Sequence, residues 1–254
     1  MGEMENNKEQ KYFELLSKGF LDKVWFLGKL EPCIDTLVDF GCGDGSLSVI
    51  IDRVFPGKYR YIGIDNNPDV LSEAQAQGLE VYSSLSELPE IDYGRSAIIL
   101  NSVLHEVFSF SAFGEAYALL EEMESKKFRH VAIRDMCLNR KDKLPNYTKE
   151  IMDSSYADAF RSFLEKTPTE IYPDIADYKV LALEFMLKYL YADESAKSKV
   201  YLWRWHAHIP DIFSGYVKEF DSTCRVPWTI RQIRKDFGID LQFDTHRKML
   251  LTRI

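Results

Sequence analysis

No apolar run in this 254-residue chain approaches the ~18 residues that a membrane-crossing helix needs, so the sequence offers no span. Cysteine is scarce. The four present, Cys33, Cys42, Cys137 and Cys224, are scattered without the spacing of a metal site or a disulfide framework, which points to a reducing compartment. The opening MGEMENNKEQ is polar and acidic, lacking the features of a secretory signal or an Arg-rich transit peptide, and Asn6 stands where a myristoylation motif needs Ser or Thr. The expected location is cytoplasmic. Positive charge is short in the first half: residues 1–137 carry 13 Lys+Arg against 23 Asp+Glu, while 138–254 carry 19 against 17. That balance excludes a broad duplex-DNA face, because such affinity comes from neutralised phosphates. Internal repeats and low-complexity tracts are also lacking.

What the chain does have is Leu37 to Ser48, LVDFGCGDGSLS, where an acid and three glycines follow an apolar run. Leu37, Val38 and Phe40 suit a buried strand, and Gly41, Gly43 and Gly45 permit a tight turn before a helix beginning at about Ser46. A dinucleotide site sets a diphosphate on the helix N-terminus, and an aspartate at the mouth of the turn would repel it. Asp39 therefore points to a ligand with a cationic group at that place. S-adenosylmethionine has one, its methionine ammonium, and carries no phosphate. Asp39-Phe40-Gly41-Cys42-Gly43-Asp44-Gly45 resembles the first motif of class I S-adenosylmethionine-dependent methyltransferases.

A second acid tests that reading. Tyr59 to Ile64 is β-rich and ends in Asp65, about twenty residues past the glycines, where a strand–helix–strand unit returns a carboxylate to a bound ribose. The alternative is that Asp65 or Asn67 simply caps the helix Pro68 to Gln77. In the family, the acid at the end of the second strand holds the cofactor's ribose and the next residues flank its adenine. The resemblance thus carries Asn66 and Asn67 into the cofactor set, with Ser83 after the third strand.

The segments alternate. Residues 8–30 read as one or two amphipathic helices, with Tyr12, Phe13, Leu15, Leu16, Phe20, Val24, Trp25 and Leu27 at helical spacing. Strands are expected near 36–40, 59–64, 79–82, 96–101 and 128–134, with helices between. Trp228 to Phe237 reads as a helix stopped by Gly238, and 239–244 and 247–254 as a terminal strand pair joined at Thr245-His246. The fold class expected is α/β: a Rossmann-like, doubly wound, seven-stranded sheet with a terminal antiparallel pair and an inserted helical lid. The divisions are 1–136 for N-terminal helices and cofactor core, 137–226 for the lid, and 227–254 for the completing unit. Within the lid, Ile151–Lys166 and Ile175–Tyr191 look helical, and its aromatics (Tyr156, Phe160, Phe163, Tyr172, Tyr178, Phe185, Tyr189, Tyr191) are explained first by packing.

The chemistry is expected where the fourth strand ends. Asn101, Ser102 and Val103 follow a buried apolar run and face the cofactor's methyl end. The family's amino-methylating nucleic-acid branch places two prolines and an aromatic after its Asn or Asp, and this chain has neither proline. Val103-Leu104-His105-Glu106 is instead similar to the small-molecule branch. His105 suits a general base, with contact to the cofactor carboxylate or a plain helix start as the alternative. Glu106 suits a first-turn carboxylate or an acid/base partner. From the fifth strand, Arg134 is a candidate clamp for a phosphate or carboxylate and Asp135 its orienter or a proton acceptor, against a plain Arg–Asp edge pair. Cys42 suits a small residue packed inside the turn. No metal is expected: His206, His208 and His246 lack a fourth ligand at sensible spacing.

These features imply methyl transfer from S-adenosylmethionine to an oxygen or nitrogen of a small-molecule or nucleotide-like substrate. An RNA or tRNA methyltransferase is the alternative within the class, favoured by Lys197, Lys199 and Arg204 interleaved with Tyr201, Trp203 and Trp205. A non-catalytic S-adenosylmethionine-binding partner subunit is the alternative outside it. NAD-dependent oxidoreduction is disfavoured by Asp39 and by the early third glycine.

Overall fold

The computed structural model describes residues 19–111, 113–139, 143–166, 177–188, 205–207 and 209–254. Five strands, β1 (Thr36–Phe40), β2 (Arg60–Ile64), β3 (Glu80–Tyr82), β4 (Ser96–Asn101) and β5 (His130–Met136), pair in parallel. With β6 (Tyr216–Cys224) and β7 (His246–Arg253) they form one seven-stranded sheet in the order β3-β2-β1-β4-β5-β7-β6, in which β7 runs antiparallel to β5 and β6. Crossovers use α1 (Ser46–Val54), α2 (Pro68–Ala76), and the consecutive α3 (Leu104–Phe110) and α4 (Phe113–Ser125). Parallel strands covered on both faces read as continuous apolar runs, which is why β4 is buried along its whole length.

Alternation along the strands sorts side chains onto two faces. Leu37, Ala97, Ile99, Ala132 and Leu250 pack with Val24, Phe26, Leu47 and Ile50, whereas Val38, Ile98, Val131, Ile133 and Met249 pack with Leu104, Leu120, Met123 and Trp205. Each fully buried aliphatic contributes roughly 1.5–3 kcal/mol.

A third cluster joins α5 (Thr148–Met152), α6 (Ala157–Lys166) and α7 (Tyr178–Lys188) to α9 (Pro227–Phe237) through Ile151, Phe160, Val180, Leu183, Phe185, Ile233 and Phe237. Its edge meets Met136 at the carboxyl end of β5. Phe160, Phe163 and Phe185 have ring centroids 5.0–6.4 Å apart, so these aromatics serve packing. In the chain a one-turn helix, α8 (Ile209–Ile212), precedes β6 and buries Ile209 in the cluster that holds Trp205. Among the described residues no helix is long and apolar enough to cross a membrane.

Three expectations are corrected. Residues 19–30 form two 3-10 turns, Phe20–Val24 and Leu27–Lys29, rather than an amphipathic α-helix; Tyr12, Phe13, Leu15 and Leu16 lie outside the described residues. The antiparallel partner of β7 is not 239–244 but β6, from within the segment assigned to the lid. The alternation Ile239, Leu241, Phe243 is real, but those side chains fill the third cluster while the backbone stays out of the sheet. β6 is an edge strand with exposed Lys218 and Glu219 in its middle, so it shows no clean period of two. Finally, 151–166 is broken at 153–156 into α5 and α6.

Candidate functional site

The strand order reverses between β1 and β4, the switch point at which an open α/β sheet offers a crevice at the carboxyl ends of its strands. Gly41, Gly43 and Gly45 line its floor with φ of +77°, +55° and +75°, the left-handed region that glycine enters without strain. A Cβ on Gly41 would come within 2.6 Å of Val103 Cγ2, whereas one on Gly43 would meet nothing within 4 Å. The backbone at Gly43 therefore faces open space. Four amides of the turn are already committed: Gly41 and Cys42 donate to the Ile64 carbonyl, Gly43 to Asp65 Oδ2 at 2.9 Å and Gly45 to the Cys42 carbonyl. A turn with its donors spent makes a poor diphosphate cradle. The Cys42 side chain tucks under the turn against Gly63, and burial pushes its thiol up to about 12, so it is inert.

Asp39 sits at the mouth of the turn, only 3% exposed. Its Oδ2 accepts from the Tyr61 hydroxyl on the neighbouring β2, while Oδ1 has no hydrogen-bond partner among the described residues. Burial pushes this carboxyl up to about 7, against the opposing effects of Tyr61 and of the Lys23 ammonium. Asp65, half-exposed, accepts from the Gly43 amide and from the Asn67 amide at 3.0 Å. The helix cap is Asn67, whose Oδ1 accepts from Asp69 N at 3.0 Å, so Asp65 is not the cap of α2. Asn66 is exposed beside it. Ser83 follows β3, but its hydroxyl donates to Glu87 at 2.8 Å and is taken by that local turn.

At the end of β4, Asn101 Nδ2 donates to the Lys23 carbonyl at 3.1 Å, and its buried Oδ1 has no partner among the described residues. Ser102 holds φ +57°, a strained setting for a residue with a Cβ, and its hydroxyl accepts from Arg134 at 3.1 Å. Arg134 lies opposite Asn101 in the β4–β5 register, 3% exposed, with Nε donating to Asp22 Oδ2 at 2.7 Å. Lys248, opposite Arg134 on β7, reaches the other Asp22 oxygen. Burial works to raise the Asp22 carboxyl, but these two cations hold it below the ordinary range. Arg134 is thus engaged in fastening the N-terminal turn.

Arg134 and Asp135 leave β5 on opposite faces. Asp135, fully buried, accepts from His105 Nδ1 at 2.6 Å, from the His105 amide at 3.0 Å and from the Met136 amide at 2.6 Å. A carboxylate with three donors around it fixes the proton of His105 on Nδ1 and leaves Nε2 as the basic nitrogen. Nε2 lies 3.9 Å from Glu106 Oε1, whose side chain is 59% exposed at the start of α3. The arrangement suits proton acceptance by His105 and gives Glu106 no buried acid/base setting.

Several residues outside the expected cofactor and catalytic set border this edge. Tyr61 and Lys23 flank Asp39; Lys23 is half-buried, its ammonium pushed down by burial and by Arg134 and pulled up by Asp39, Asp44 and Asp135. His246 is buried with Nδ1 2.8 Å from Thr245 Oγ1, and burial, Arg134 and His105 push it well below the ordinary imidazole range. His206 Nδ1 lies 3.0 Å from Cys137 Sγ, and no group of three metal-binding side chains occurs among the described residues. His208 lies outside them.

No family model matches the chain, and no curated protein matches it. Solved structures do. Magnesium protoporphyrin IX methyltransferase (ChlM) from Synechocystis PCC 6803, crystallised with S-adenosylmethionine, aligns at TM-score 0.50 and 14% identity over 96% of this chain and 83% of its own. PKMT2 from Rickettsia typhi, crystallised with S-adenosylhomocysteine, aligns at 0.51 and 12% over 96% and 52%. MccD aligns at 0.51 and 11% over 91% and 95%. At such identities the common property is architecture: this chain has the fold of the class I S-adenosylmethionine-dependent methyltransferases.

Proposed function

We propose that the chain transfers a methyl group from S-adenosylmethionine to an oxygen or nitrogen of a small-molecule or nucleotide-like acceptor. One observation carries the reading: the crevice at the β1/β4 switch brings Asp39, the open backbone at Gly43, Asp65 and the His105–Asp135 pair to one edge. These residues fit the cofactor. Asp39 Oδ1, without a partner, suits an ammonium; Asp65 suits two ribose hydroxyls beside Asn66; the spent amides of the turn suit a ligand without phosphate. When bound, S-adenosylmethionine supplies a methyl group already activated by its sulfonium.

The protein's work is then alignment, exclusion of water and handling of one proton. His105 Nε2 would take the proton from the acceptor's O–H or N–H as that atom bonds the methyl carbon and the carbon–sulfur bond breaks, so that the positive charge passes from sulfur to the imidazole. Asp135 keeps the imidazole in the required tautomer and offsets the charge it gains. Ser102 and Val103, between turn and base, shape the methyl end. The helices α5 to α7, clustered at the carboxyl end of β5, act as the inserted lid on the acceptor side, with β6 excluded from it. An RNA acceptor loses one of its stacking rings, because Trp205 is fully buried with Nε1 donating to the Met136 carbonyl; Lys197, Lys199, Tyr201, Trp203 and Arg204 lie outside the described residues.

The test follows transfer from radiolabelled methyl donor into fractionated cell extract. His105→Ala is expected to lower transfer about 100-fold or more while changing cofactor affinity less than about twofold. Undiminished transfer in that variant removes His105 from the mechanism.

A further inference from the structure

We infer that the 3-10 turn Phe20–Val24 forms half of the cofactor site, with Lys23 Nζ binding the α-carboxylate of the amino-acid tail and Asn101 Oδ1 accepting from its ammonium. The inference rests on the S-adenosylmethionine reading and adds to it the residues that recognise both ends of the zwitterion.

Two unmet needs on the page point to such a ligand. The Lys23 ammonium is half-buried, lies 4.2 Å above the Phe20 ring and has no carboxylate at ion-pair distance among the described residues. A cation so placed, with Arg134 near it, is left short of solvation and of a counter-ion. Asn101 shows the complementary lack. Its Nδ2 is oriented by the Lys23 carbonyl at 3.1 Å, which leaves Oδ1 as an acceptor that is buried and unpaired. A flipped amide would lose that bond and set its oxygen against the Lys23 carbonyl, so the contact itself assigns the acceptor.

An α-amino acid tail answers both. It carries an ammonium and a carboxylate on one carbon, and this crevice offers Asp39 Oδ1 and Asn101 Oδ1 as acceptors beside Lys23 as donor. The turn is also firmly held. Asp22, next to Lys23, bonds Arg134 at 2.7 Å and Lys248, so the lysine is presented from an anchored backbone rather than a loose end. Such anchoring lowers the ordering cost of binding.

The experiment compares S-adenosylmethionine with decarboxylated S-adenosylmethionine, which keeps the ammonium and lacks the carboxylate, by titration calorimetry against the wild type, Lys23→Met and Lys23→Arg. The wild type is expected to prefer S-adenosylmethionine by about 10- to 100-fold, the effect of a charge-assisted contact. In Lys23→Met that preference collapses to within about threefold, because only the carboxylate-bearing ligand weakens, and Lys23→Arg keeps most of it. A preference that survives in Lys23→Met, equal wild-type affinity for the two ligands, or tighter binding by Lys23→Met overturns the inference while leaving the cofactor reading intact. If the wild type binds neither ligand, the cofactor reading fails and takes this inference with it. Should Lys23→Met fail to fold, the wild-type comparison of the two ligands still decides.

Discussion

At the scale of single residues, Asp39 combines burial with a proposed contact to a cationic tail that needs its charge. Its carboxyl, pushed up to about 7, keeps its proton in the folded chain where an unfolded chain has lost it. Stability present below about pH 4 is therefore lost as pH climbs through about 7. Asp39→Asn removes that loss and should melt above the wild type at about pH 8, with the gap narrowing at about pH 5. Cofactor binding carries the opposite sign, because a cationic tail favours the ionised form. Affinity for S-adenosylmethionine should rise from about pH 6 to about pH 8 in the wild type and stay flat in Asp39→Asn, as read by titration; a flat wild-type profile removes Asp39 from the site. Asp39, Gly41, Gly43, Gly45 and Asp65 were legible in the sequence because their chemistry lies in short, fixed spacings. Tyr61 and Lys23 were not, and the fastening of Arg134 is to Asp22, 112 residues away, which no local pattern reveals.

At the scale of elements, the glycine turn separates two uses of one residue type. Gly41 meets Val103 and Gly43 meets open space, although both have positive φ. Gly41→Ala should destabilise the fold by about 2–4 kcal/mol in denaturant unfolding, from backbone strain together with overpacking. Gly43→Ala should cost about 1 kcal/mol, the strain alone, yet weaken cofactor binding by tenfold or more, because its methyl enters the ligand's space. Equal stability losses in the two variants would contradict this division. Four of the five parallel strands, β1, β2, β4 and β5, were legible from apolar runs ending at Asp39, Asp65, Asn101 and Asp135. β6 was hidden because an edge strand has little to bury, and 239–244 misled because a period of two reports burial, not pairing. The alternation of Ile239, Leu241 and Phe243 is satisfied by α7 and α9 instead of by a neighbouring strand.

At the scale of the whole molecule, Asp22 ties the N-terminal turn to β5 and β7 and so connects the first described residues to the last strand. Arg134 is almost wholly buried, and stripping it of its partner leaves an uncompensated charge. Asp22→Ala should cost about 3–5 kcal/mol in denaturant unfolding and also weaken cofactor binding, since it releases the turn that carries Lys23. A loss below about 1 kcal/mol would show that the fastening is dispensable. The central claim is broader: the crevice between β1 and β4 receives an amino-acid sulfonium nucleoside rather than a dinucleotide. Titration of the unmodified protein with S-adenosylmethionine, S-adenosylhomocysteine and NAD tests it most directly. Saturable binding of the first two at micromolar to low millimolar concentration, with none of NAD, is the result expected; binding of NAD alone, or of none of the three, would contradict the account.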